Sequence, residues 1–108
     1  MKVLTVCSHG NVRSVALAYI LKVVFSWEAI PIGLYTTTEE TRKMLVDWAD
    51  LVIVTNVQDY KDFTPKSDKI MLLDLGHDVW KNPFHQELQH KILKHIRYIG
   101  KFDKSNPE

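Results

Sequence analysis

Four apolar, β-rich runs alternate with stretches of helical spacing, and that alternation narrows the possible folds more than any other feature of the chain. The runs are Lys2–Val6, Ile30–Thr37, Asp50–Asn56 and Lys69–Leu75. The third, DLVIVTN, is apolar almost throughout, as a parallel strand covered on both faces needs to be. The second is interrupted by Pro31 and Gly33. After the first run, Val12, Ala16, Tyr19, Ile20, Val23 and Trp27 recur every three to four residues and predict one buried helix face. Thr38–Ala49 opens with Thr38 as an N-cap and Glu39 and Glu40 in its first turn. Val57–Asp68 reads as a short helix or turn followed by a polar loop with Pro65. Between His85 and Ile99, the residues Leu88, Ile92, Ile96 and Ile99 mark the face of a last helix, with Gly100 as its stop. The order βαβαβ(α)βα predicts an α/β domain whose parallel sheet is covered on both faces. One domain over residues 1–108 is expected, with 101–108 as a flexible tail. At this length the core needs no disulfide or metal.

Composition excludes several function classes. Lys and Arg total 14 against 13 Asp and Glu, so no strong field draws the chain to nucleic acid or to an anionic membrane. The apolar start is too short for a signal peptide, and Val15–Val24 is too short and interrupted to span a bilayer. A single cysteine cannot close an intramolecular disulfide, and the expected location is the cytoplasm. Among the 5 histidines, His85, His90 and His95 are spaced by five, about 140° apart on a helix, which predicts no metal site. Neither GxxxxGK[ST] nor GxGxxG occurs, so no nucleotide cofactor is expected.

The lone cysteine sits in VCSHGNVRS, Val6–Ser14, between the first strand and the first helix. A loop in that position has backbone N–H groups that secondary structure does not claim. Wrapped around a point, and joined by the positive end of the helix dipole, they cradle a tetrahedral oxyanion. Gly10 is expected to take positive φ and let the loop curl. Arg13 can grip two phosphate oxygens with its planar fork. Such surroundings lower a thiol's pKa, and Ser14 can offer Cys7 a hydroxyl bond. The candidate phosphate loop is therefore Ser8, His9, Gly10, Asn11, Val12, Arg13 and Ser14, with Cys7 as nucleophile at its floor. Parallel sheets bind ligands beyond the carboxyl ends of their strands, so the loops after the first and fourth strands are expected on one rim.

VCSHGNVRS resembles the phosphate loop of the low-molecular-weight protein tyrosine phosphatases, whose pattern is C-x5-R-S near the N-terminus. WADLVIV (Trp48–Val54) is similar to that family's third-strand region. The resemblance implies a three-layer sandwich of the flavodoxin-like kind, with a four-stranded parallel sheet in the order 2-1-3-4. It implies a hydrolase in which Cys7 attacks phosphorus, Arg13 binds phosphate and Ser14 tunes the thiolate. The substrate would be a phosphorylated protein, foremost phosphotyrosine, or a small phosphomonoester, with inorganic phosphate left in the loop. The chain departs from the pattern at Gly10, where the family usually has asparagine, and Asn11 follows one residue later. The spacing C-x-x-G-x-x-R-S is similar to that of the larger, unrelated cysteine phosphatases. Those place their acid upstream, whereas only six residues precede Cys7.

A leaving oxygen needs a proton. The resemblance implies an aspartate from the loop after the fourth strand, and Asp78 in LDLGHDVWKNPF is assigned that role. Asp74 and His77 are its rivals as general acid: Asp74 ends the fourth strand and could instead brace the loop, and the His77 imidazole can do acid–base work near neutral pH. His9 and Trp80 are expected to wall the substrate pocket. Three other activities share parts of the pattern. A phosphoryl carrier similar to the IIB sugar-transport domains needs no hydrolytic acid. Arsenate reduction within one chain needs further cysteines. A phosphoprotein-binding domain needs no turnover.

Overall fold

β1 (Lys2–Cys7) pairs in parallel with β2 (Glu28–Gly33) on one side and with β3 (Leu51–Val54) on the other, and β4 (Ile70–Leu72) pairs with β3 at the edge. The all-parallel order β2-β1-β3-β4 is the expected one, an α/β fold of the flavodoxin-like kind. The computed structural model describes residues 1–77 and 79–103.

Strand side chains alternate between two cores, as the period of two requires. Val3 and Ile53 face α1 (Arg13–Phe25), α4 (Gln86–Leu93) and α5 (Ile96–Gly100), where Leu17, Leu21, Leu88, Ile92 and Ile99 are fully or nearly fully buried. Leu4, Val6, Val52 and Val54 face the opposite layer, where Val46 of α2 (Glu39–Trp48) and Phe63, just past α3 (Val57–Asp62), are buried. Each such side chain contributes roughly 1.5–3 kcal/mol by leaving water. Cys7 continues the series Val3, Thr5, Cys7 and so lies on the α1 side.

Three expectations change. The second strand ends at Gly33, not Thr37, because Leu34–Thr36 forms a 3-10 turn and Thr37 Oγ1 donates to Gly33 O at 2.7 Å. The buried face of α1 is Arg13, Ser14, Ala16, Leu17, Ala18, Ile20 and Leu21, while Tyr19 and Val23 are 46% and 63% exposed. α1 is apolar nearly all round, so its sequence does not say which stripe turns inward. The last helix is two pieces, α4 and α5, with His95 N–H bonding to Ile92 O at 2.9 Å in a tightened turn. The tail is tied at its start, since the buried Trp27 indole N–H donates to Asp103 Oδ2 at 2.7 Å; residues 104–108 lie outside the described residues. Among the described residues no helix is long and apolar enough to cross a membrane.

Candidate functional site

The end of β1 delivers Cys7 to the carboxyl rim of the sheet, and the chain then turns sharply. Gly10 holds φ at +76°, the left-handed conformation expected of it. It also needs to be glycine for space: a Cβ there would stand 2.5 Å from Gly33 N and 2.8 Å from Ile32 C. Gly33 reciprocates, because a Cβ on it would overlap the His9 carbonyl carbon. Tyr35 N–H donates to Ser8 O at 3.0 Å and fastens the loop from outside. Two glycines from separate elements thus let the loop lie directly on the end of β2. Gly33 shows in the sequence only as a strand breaker.

Cys7 is 2% exposed, yet it belongs to neither hydrophobic cluster. Its Sγ accepts the Gly10 N–H at 3.1 Å and lies in hydrogen-bond contact with Ser14 Oγ at 3.1 Å. Thr5 Oγ1 donates to Ser14 O at 2.8 Å and fixes the first turn of α1 over the strand. α1 has no side-chain cap, because Val12 at its N-cap carries no acceptor, and its first turn holds no acidic residue. Its leading N–H groups therefore have neither carbonyl nor carboxylate from the helix itself.

Arg13 is 2% exposed. Its Nη1 donates to Gly76 O at 2.6 Å and its Nη2 to Ser8 Oγ at 3.2 Å, while the buried Nε has no hydrogen-bond partner among the described residues. Both acceptors are themselves held. Gly76, at φ +78°, donates its N–H to Asp74 Oδ1 at 2.9 Å. The Ser8 hydroxyl donates to Asp59 Oδ2 at 2.8 Å, and Asn56 Nδ2 donates to the same oxygen. Asp59 is 1% exposed. Nothing in the sequence marks it, because its partner Ser8 lies 51 residues away.

A cleft of about 490 Å³ opens over the loop, lined among others by Ser8, His9, Arg13, Tyr35, Asp59 and His77. The His9 and Tyr35 rings meet edge to face at 6.3 Å. Tyr35 Oη donates to Asp62 Oδ2 at 3.1 Å, and Gln58 Nε2 donates to the same oxygen at 3.0 Å. Those two bonds, Gln58 first, hold the Asp62 carboxyl below its usual 3.8. Partial desolvation, and then the bond to Asp62, push the Tyr35 hydroxyl above its usual 10.0.

The remaining expected residues divide. His77 is exposed and lines the cleft, whereas Asp74 is the brace of the Gly76 turn. Asn11 is exposed and Val12 half-buried. Asp78 lies outside the described residues. Trp80 does not wall this cleft. It packs against the core on the α1 side and lines a separate cleft of about 500 Å³ with His90 and Lys91 of α4 and Lys94 just after it. Among the described residues no group of three or more His, Cys, Asp or Glu is placed to hold a metal ion. No protein-family model matches the chain, and no curated protein matches it.

Proposed function

We propose that this protein is a cysteine-dependent phosphatase that hydrolyses phosphomonoesters, foremost protein phosphotyrosine, through a phosphocysteine intermediate. The observation that carries the reading is the pair formed by Cys7 and Arg13. The sulfur is held under the loop by an N–H and a hydroxyl, and the buried guanidinium six residues later has its Nε–H without an acceptor among the described residues. Leaving a buried donor unmet costs roughly 1–3 kcal/mol, more for a charged group, and a phosphate oxygen would recover it.

In this reading the Cys7 thiolate attacks phosphorus and the ester oxygen departs with a proton from Asp78. Arg13 and the uncapped start of α1 meet the charge on the equatorial oxygens. Water then attacks the phosphocysteine, returns a proton to Asp78, and releases phosphate and thiolate. The Ser14 hydroxyl, 3.1 Å from Sγ, stabilises the sulfur as it leaves. No cofactor takes part. The cytoplasm suits the enzyme, since its lone thiol has to stay reduced.

The test is hydrolysis of para-nitrophenyl phosphate. Wild type turns over and is inhibited competitively by inorganic phosphate, and Cys7→Ser lowers kcat by at least about a thousandfold. Acid quenching during turnover traps a protein heavier by one phosphoryl group on Cys7. A Cys7→Ser enzyme as fast as wild type sinks the reading. Phosphate binding without hydrolysis between pH 5 and 8 reduces it to a phosphate-binding domain.

A further inference from the structure

The chemistry above makes no use of Asp59, although a buried carboxylate is costly unless hydrogen bonds meet it. Asn56 and Asp59 satisfy one another at the start of α3: Asn56 Oδ1 accepts the Asp59 N–H at 2.9 Å and Asn56 Nδ2 donates to Asp59 Oδ2. That exchange would complete a helix cap. The Ser8 hydroxyl is not needed for it, yet it reaches across 51 residues of sequence to the same carboxylate oxygen.

The protons in the chain Arg13–Ser8–Asp59 can run only one way. A guanidinium has donors and no acceptor, an ionised carboxylate has acceptors and no donor, and a hydroxyl has a single proton. Ser8 therefore gives its proton to Asp59 and turns a lone pair toward Arg13 Nη2. Nη1 is fixed separately by Gly76 O, so two anchors set the plane of the fork. Among the described residues the buried Nε has no hydrogen-bond partner, so its N–H is left for a ligand.

We propose that Asp59 is a positioning residue: acting through Ser8, it holds the Arg13 guanidinium in advance of the phosphate that Arg13 receives, a role that rests on the phosphatase reading. A fork ordered beforehand loses less freedom when it binds.

Two readouts test this, the dissociation constant of inorganic phosphate by calorimetry and the KM and kcat for para-nitrophenyl phosphate. Ser8→Ala and Asp59→Ala each raise the phosphate dissociation constant and KM about tenfold, with a smaller fall in kcat. The double variant is no weaker than the worse single one, because both remove one link. Ser8→Thr, which keeps the hydroxyl, returns binding to within about twofold of wild type. A purely structural Asp59 would lower Tm with phosphate affinity intact and would leave Ser8→Ala silent; that result, or additive losses in the double variant, overturns the proposal. Should Asp59→Ala fail to fold, Ser8→Ala and Ser8→Thr decide alone.

The outcomes also separate the two claims. Wild-type hydrolysis with silent Ser8 variants removes the relay and leaves the phosphatase. Phosphate binding without turnover removes the phosphatase, and the calorimetric series still supports or overturns the relay as a phosphate clamp. Wild type that neither binds nor hydrolyses overturns both.

Discussion

α1 and α3 start at the same rim on opposite faces of the sheet, because the neighbouring parallel strands β1 and β3 lead into them. Their first turns are built in opposite ways. α3 closes on itself, with Asn56 accepting the Asp59 N–H and Asp59 occupied in return. α2 does likewise through Thr38, whose side chain accepts the Thr41 N–H at 3.1 Å. α1 has valine at the equivalent place and no side-chain cap. An uncapped start forgoes about 1 kcal/mol that a serine, threonine, asparagine or aspartate commonly contributes. In α1 the omission coincides with the one loop that also brings a cysteine, a positive-φ glycine and a buried arginine together. A side-chain cap occupies one of the leading N–H groups that could meet an anion, and α1 has no such cap.

Arg13→Ala should weaken inorganic phosphate binding at least about a hundredfold by calorimetry, since it removes the fork and its charge together. Gly33→Ala tests the seat of the loop from the opposite side. The new methyl meets the His9 carbonyl carbon and the Thr36 hydroxyl, so the loop has to shift. A loss of about 1–3 kcal/mol in denaturant unfolding, with weaker phosphate binding, is expected. Val12→Asp would place a carboxylate where α1 has none and should weaken phosphate binding about tenfold by competing for the same N–H groups. Thr38→Ala is its counterpart: it should cost about 1 kcal/mol of stability with phosphate affinity unchanged, as the loss of a self-contained cap requires.

The smallest effect concerns the mouth of the cleft. Hydrogen bonds from Gln58 and Tyr35 lower the Asp62 pKa in the folded protein. A carboxylate whose folded pKa is depressed adds stability above its unfolded value, and that contribution is lost as pH falls through the folded one. Tyr35→Phe should therefore be slightly less stable than wild type at pH 7, with the gap closing below about pH 4 in thermal melts. On the alkaline side Tyr35 has a raised pKa, so its own contribution is present below pH 10.0 and fades above it. A gap that widened toward acid would contradict the bond to Asp62.

Legibility followed distance along the chain. Cys7, Gly10, Arg13 and Ser14 fall within eight consecutive residues, and a strand leading into a helix was enough to place them in one loop. Gly33, Asp59 and Gly76 were not legible, because each joins the site from another element. Their local contexts read only as a strand break, a short helix or turn, and a loop. The inward face of α1 was obscured for a different reason: with apolar residues nearly all round, hydrophobicity favours no stripe, and packing against β1 decided it. Trp80 lines a different cleft from the one over the loop, because its ring packs against the core on the α1 side, a contact that its neighbours in sequence do not reveal.

Alternation of apolar runs with helical spacing was sufficient to define the parallel sheet, its two covered faces and the loop that carries the cysteine, since those follow from backbone periodicity and local turn chemistry. The partners that orient Arg13 were assigned only on folding. The bonds from Arg13 to Gly76 and from Ser8 onward to Asp59 depend on strand order and register, which bring segments more than fifty residues apart within 2.8 Å of one another. Short-range physics could specify a loop able to hold an anion, but the direction of its one buried charge needed the whole sheet.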